Sequence, residues 1–129
     1  MKKDFQRWHT EKTAVDDIET RPFFHEREIW FCSIGINVGF EQDGKGEKFL
    51  RPVVIIKKFN NQICWCIPLT KNLIENKFHF TFMFSKDKSS SAILSQIRLI
   101  DARRLCYKTG TINKQDFNFL KRKLIQLLE

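Results

Sequence analysis

An α+β fold, built on a small and strongly curved antiparallel sheet or partly closed barrel with helices over its open edges, is what this sequence predicts. A helix-period pattern opens the chain, five or six short strand-like segments follow, and an amphipathic helix closes it. At 129 residues the chain is one domain, and 42% hydrophobic against 29% charged residues gives it enough apolar mass for a core. Those numbers exclude a multidomain enzyme and an intrinsically disordered chain.

The elements follow in order. Asp4 can cap a helix running to Glu19, in which Phe5, Trp8, Val15 and Ile18 form one apolar stripe. Pro22 disfavours helix at Arg21, so the helix ends before it, and residues 1–26 read as a helical extension that packs on the core formed by residues 27–129. That packing is expected because Phe5 and Trp8 would otherwise be exposed together.

A strand is predicted from Glu28 to Ile34. The stretch from Ile36 to Leu50 holds three glycines and five charges and is too polar for core; it reads as a long surface loop, a feature that is uncommon in small domains without a purpose. Pro52 starts the apolar run Val53 to Ile56, and Asn60-Asn61 supplies a turn into Ile63 to Leu69, making a hairpin. His79 to Phe84 alternates as a half-buried strand, a Ser/Lys/Asp turn follows, and Ala92 to Ile100 reads as one further strand. A helical turn at Asp101 to Leu105 precedes a last strand, Cys106 to Ile112. The closing helix is capped by Asn113, has Asp116 at N3, and places Phe117, Leu120, Leu124, Leu127 and Leu128 on one face.

Charge is placed unevenly. The formal net charge is +8; Met1 to Cys64 carries +1 and Trp65 to Glu129 carries +7, so the second half is where a polyanion would bind. No apolar run is long enough to span a bilayer, and Met1-Lys2-Lys3 leads into Asp4 and Arg7 rather than a signal core, so a cytoplasmic protein with no membrane partner is expected. Cys32, Cys64, Cys66 and Cys106 sit in apolar strand-like stretches and read as reduced core thiols. The spacing of Cys64 and Cys66 does not suit a tetrahedral zinc site, and no metal is expected.

Four blocks carry a resemblance. Val38-Gly39-Phe40-Glu41-Gln42 leading to Arg51-Pro52-Val53-Val54-Ile55-Ile56 resembles the first motif of the MazF/PemK family of toxin endoribonucleases. Ile67-Pro68-Leu69-Thr70 is similar to the family's strand end with its catalytic threonine, and Gln96-Ile97-Arg98-Leu99-Ile100-Asp101, then Arg103-Arg104-Leu105, to its third motif. Glu28-Ile29-Trp30 and the terminal helix fit as well. The resemblance covers about Arg27 to Leu128.

It implies an SH3-like, strongly curved antiparallel β-barrel with covering helices, of the MazF/PemK/CcdB-like kind. It further implies the toxin of a type II toxin-antitoxin system, acting as a homodimer and neutralised by a cognate antitoxin. The implied activity is sequence-specific cleavage of single-stranded RNA without metal or other cofactor, the ribose 2′-oxygen attacking the adjacent phosphorus. Carried over by position, Arg51 and Thr70 correspond to the catalytic arginine and threonine, and Glu41 to a glutamate implicated in some members. Phe40, Gln42, Lys71, Gln96 and Arg98 fall at positions expected to contact RNA. The sequence departs from the pattern in the lengthened Asp43 to Leu50 loop, in Phe40 where a serine or histidine is usual, and in Ile93 and Ser95, which replace the arginine and aspartate of the PemK branch.

The chemistry gives each residue a role and a bland alternative. The Arg51 guanidinium suits stabilisation of charge on phosphate oxygens; outside the motif it would be a solvated loop arginine. Thr70 can bond a phosphate oxygen or the 2′-hydroxyl, or simply reflect strand preference. Arginine does not deprotonate, which leaves Glu41 or water as the base, and Glu41 is equally a structural acceptor. None of His9, His25 and His79 falls in a motif, so no histidine base is assigned. Lys71, Lys77, Arg98, Arg103, Arg104 and Lys108 are candidate phosphate contacts, and Phe40 or Phe49 a stacking surface. The run Lys121-Arg122-Lys123 reads as a solvated, dipole-favoured helix end. The competing reading is a non-catalytic toxin of the same fold, such as a gyrase poison, or a degenerate RNA binder.

Overall fold

The computed structural model describes residues 4–16, 20–35, 50–85 and 87–129. Glu41, Phe40, Gln42 and Phe49, all singled out above, lie outside the described residues. The chain runs α1 (Phe5–Asp16), β1 (Glu28–Ser33), β2 (Leu50–Lys58), β3 (Ile63–Thr70), β4 (His79–Ser85), β5 (Lys88–Ile93), β6 (Arg98–Asp101), β7 (Leu105–Thr111) and α2 (Lys114–Gln126). Single-turn 3-10 segments at Leu94–Gln96 and Ala102–Arg104 flank β6.

All pairings are antiparallel, in the order β4-β5-β3-β2-β1-β7, with β6 also on β3. This is the α+β architecture expected, an antiparallel sheet with two helices. Among the described residues the barrel is open, because β4 and β7 end the path without pairing. The two ends still approach: the Phe84 ring lies 3.2 Å from where a Cβ on Gly110 would sit.

β2 explains the two-sided core. Val53, Val54, Ile55 and Ile56 are all buried, so this central strand reads as a continuous apolar run rather than an alternating one. Val53 and Ile55 join Trp30, Cys32, Cys64, Cys66 and Ile100 on one face. Val54 and Ile56 join Ile29, Ile67, Leu69 and Phe82 on the other, where Phe117 and Leu120 of α2 cover them. Full burial of each such side chain stabilises by about 1.5 to 3 kcal/mol.

The expected single strand from Ala92 to Ile100 is broken. β5 and β6 lie along the same edge of β3, but Leu69 pairs with Ala92 whereas Cys66 pairs with Arg98, a register offset of three residues. The 3-10 turn Leu94–Gln96 absorbs those three, pushing Ser95 and Gln96 out of the ladder. β5 also begins earlier than expected, at Lys88. Its serines Ser90 and Ser91 are weak strand formers that are buried because β4 pairs along their length.

Both helices start as the sequence predicts. Asp4 Oδ1 accepts the Arg7 N–H at 2.9 Å, and Asn113 Oδ1 accepts the Asp116 N–H at 2.8 Å while Asn113 Nδ2 donates to Asp116 Oδ2. Their apolar stripes need correction. Phe5 is 52% exposed and only Trp8 of α1 is buried; Leu128 is 85% exposed because α2 has already ended at Gln126. Cys106 is corrected too: it is exposed, since β7 presents an outer run from Cys106 to Thr109 to solvent. No helix among the described residues is long and apolar enough to cross a membrane.

Candidate RNA-cleavage site

Cross-strand register brings the site together. Arg51 pairs with Cys32 of β1, and alternation along β2 places it on the face of Val53 and Ile55. Val53 and Pro68 form the terminal pair of the β2–β3 ladder, and Arg51 and Thr70 each lie two residues beyond it at the same end of the two strands. Arg51 Nη1 donates to the Leu69 carbonyl at 3.0 Å, which ties the half-buried guanidinium to the peptide immediately before Thr70.

Thr70 ends β3. Its Oγ1 accepts the Asn72 N–H at 3.2 Å, a local turn bond, and an accepting hydroxyl still carries a proton it can donate. Thr70 also lines an open groove of about 440 Å³ with Asn72, Phe78, His79, Ser95 and Gln96, floored by Ile74 and Ile93. Gln96 reaches this groove because the 3-10 turn lifts it from the β3 edge. Lys71 is exposed next to Thr70.

Arg98 pairs with Cys66 on the same face as Arg51, and Arg104 lies close by. Burial first, then the neighbouring Arg98 cation, push Arg104 below the usual guanidinium range. Arg104 Nη1 donates to the Ser33 carbonyl at 3.1 Å, and its guanidinium lies over the Trp8 ring at 5.8 Å. Arg103 is held by Asp101 at 3.0 Å and by the Asp16 carbonyl at 2.9 Å. Both arginines thus brace α1 and the 3-10 turn. Lys108 likewise bonds Glu28 at 3.2 Å.

Lys123 departs from the expected solvated run. Its Nζ donates to the Asn76 carbonyl at 2.8 Å and to the His79 carbonyl, fastening the β3–β4 connection to α2. Sequence reasoning missed Asn72, Phe78 and Ser95 as groove residues and set His79 aside. The available signal was an aromatic residue, Phe78, directly after Lys77, since an aromatic beside a cation is a pattern that suits single-strand binding.

Three comparisons bear on this geometry. A family model described as PemK-like, MazF-like toxin of type II toxin-antitoxin system matches residues 25–128. Among solved structures, MazF from Deinococcus radiodurans superposes with a TM-score of 0.65 at 16% identity, covering 85% of this chain and 98% of that one. Mycobacterium tuberculosis toxin MazF-mt6 gives 0.61 at 12% identity over 79% and 96% of the two chains. An endoribonuclease in complex with its cognate antitoxin, from a mycobacterial species, gives 0.62 at 12% over 82% and 95%. No curated protein matches the sequence.

Proposed function

We propose an endoribonuclease function from one premise: the chain belongs to the PemK-like, MazF-like toxin family of type II toxin-antitoxin systems. On this reading it cleaves single-stranded RNA at preferred sequences without metal, arrests growth when free, acts as a homodimer, and is neutralised by an antitoxin protein. The observation that carries the reading is the bond from Arg51 to the Leu69 carbonyl, which holds a permanent cation at the peptide that leads into Thr70.

That pairing suits transfer of the phosphoryl group to the 2′-oxygen. As the 2′-oxygen bonds to phosphorus, negative charge builds on the non-bridging oxygens and the 5′-oxygen leaves. Arg51 donates to one non-bridging oxygen, a role its permanently charged, multi-donor guanidinium suits. Thr70 donates a second hydrogen bond. Preorganised donors of this kind lower a barrier by about 2.7 to 4 kcal/mol each. The 2′ proton passes to Glu41 or to water. Arg98 on the same face, with Lys71 at the rim, supplies backbone phosphate contacts that hold the strand. Residues 1–26, which include α1, are an extension on a toxin domain of residues 27–129.

Tightly controlled induction in a bacterial host with RNA end-mapping tests this. Wild type is expected to arrest growth with recurring cut sites, and Arg51→Ala to do neither. Normal growth with intact RNA at confirmed soluble expression would replace the ribonuclease reading with a non-catalytic toxin or RNA binder.

A further inference from the structure

The groove beside Thr70 has a build that phosphodiester chemistry alone does not require. Its outer wall is Phe78, an aromatic ring 42% exposed at the end of the β3–β4 connection, which also exposes Leu73 and Ile74. The backbone under that ring is fixed at both ends. Phe78 N–H donates to Asn76 Oδ1 at 2.9 Å, and the Phe78 carbonyl accepts from Leu94 N–H at 2.8 Å. Lys123 holds the same connection from behind through the carbonyls of Asn76 and His79. An exposed aromatic surface held this firmly has lost its ordering cost before any ligand arrives.

His79 adds a defined polar edge. Asn76 Oδ1 accepts the Phe78 N–H, so that atom is an oxygen and not the amide nitrogen. The same Oδ1 lies 2.8 Å from His79 Nδ1, which must then be the donor. In the neutral ring Nε2 is left as an acceptor. Ser95 and Gln96 of the Leu94–Gln96 turn and Asn72 beside Thr70 complete the polar lining. A flat apolar wall with donors and acceptors around a cleft of this size suits a planar heterocycle with a polar rim.

We propose that the groove walled by Phe78 and His79 is a nucleobase subsite that sets the sequence preference at the nucleotide next to the scissile phosphate. The proposal rests on the ribonuclease reading for its position, because Thr70 belongs to both the cleavage pair and the groove wall. Phe78 stacks on the base, and the His79 edge with Gln96 reads its hydrogen-bonding pattern. Lys77 Nζ lies over the Phe78 ring, 5.1 Å from its centroid, and on this proposal swings to the adjoining phosphate when a base stacks there.

The test digests a random-sequence single-stranded RNA pool with the full chain and maps the ends. Wild type is expected to show a base preference at one position flanking the cut. Phe78→Ala should flatten preference at that position by about 5-fold to 100-fold, the range for loss of one stacking surface, while leaving other positions within about 2-fold. Phe78→Trp should retain the preference, and His79→Ala should change which base is favoured. Unchanged base frequencies in Phe78→Ala, or a uniform loss at all positions, overturn the subsite while Arg51-dependent cleavage leaves the ribonuclease reading intact. If wild type cuts nothing, homopolymeric DNA heptamers of A, C or T, which lack the 2′-hydroxyl, decide the matter separately. Discrimination of about 10-fold or more that vanishes in Phe78→Ala upholds the subsite without the activity; equal affinities or none overturn it.

Discussion

The Trp8 indole lies directly against the Gly35 backbone: a Cβ built on Gly35 would fall 1.9 Å from Trp8 Cε2. Gly35 has φ +75°, so the position is also closed to side chains on conformational grounds. These two contributions can be separated. Gly35→Ala is expected to destabilise strongly in the wild-type background, through both overlap and the left-handed backbone. In a Trp8→Ala background the overlap is gone and only the backbone cost of about 1 to 2 kcal/mol remains. Urea unfolding of the two single variants and the double checks this; equal costs of Gly35→Ala in both backgrounds would show that Trp8 is not seated there.

Asp101 couples the same region to pH. The Arg21 guanidinium, bonding it at 3.0 and 2.9 Å, is the largest cause holding its carboxyl well below the usual carboxylate range. Partial burial opposes this, and Arg103 adds bonds through its side chain and its N–H. A carboxylate depressed in the folded state contributes stability that is fully present above its unfolded pKa of about 3.9 and disappears as pH falls through the lower folded value. Wild type should therefore lose Tm below about pH 4 more steeply than Asp101→Asn. At pH 7 Asp101→Asn should melt about 4 °C or more lower. Parallel melting curves of the two proteins at every pH would exclude this role.

How much of this was legible in sequence depends on whether the signal was local. Asn113 and Asp116 announce a helix start through their own backbone, and the Arg51 and Thr70 blocks sit at strand ends that turn and apolar patterns mark. The break at Leu94–Gln96 was not legible, because Ala92, Ile93, Leu94, Ile97, Leu99 and Ile100 make the segment apolar enough to read as one strand. What interrupts it is a three-residue register offset against β3, a property of the partner strand rather than of the segment. Gln96 was found by motif and Phe78 was not, although both wall one groove. Phe78 belongs to it through bonds to Asn76 and Leu94, one of them 16 positions away. Cys106 was misplaced for a related reason: an outer-face residue of β7 has the same local composition as a buried one.

The thiols give a direct test of that correction. Burial pushes Cys64 up to about 12 and holds Cys32 and Cys66 well above the usual thiol range, while Cys106 is exposed. Thiolate is the reactive form, so the buried three should resist alkylation at neutral pH. Mass spectrometry after brief iodoacetamide treatment should find one label, at Cys106, in the native protein and four after denaturation, the chain having four cysteines. Native labelling at Cys32 or Cys66 would mean that the first face of the sheet opens readily.

Lys123 supplies the sharpest separation between holding the groove and performing the cleavage. Its Nζ spans α2 to the carbonyls of Asn76 and His79, away from the Arg51 and Thr70 rim. Lys123→Met keeps most of the aliphatic stem and removes the two bonds, which releases the connection bearing Phe78 from behind. Binding then has to order that connection, whereas the guanidinium and hydroxyl that meet the phosphate are untouched. On a preferred oligoribonucleotide, KM should rise about 5-fold to 20-fold with kcat within about 2-fold. Arg51→Ala on the same substrate should lower kcat about 100-fold or more with little change in KM, and Arg51→Lys should recover little because an ammonium lacks the fork that serves Leu69 and phosphate together. Thr70→Ser, which keeps the donor, should stay near wild type, and Thr70→Val should not. A fall in kcat rather than a rise in KM for Lys123→Met would place the β3–β4 connection within the cleavage step itself.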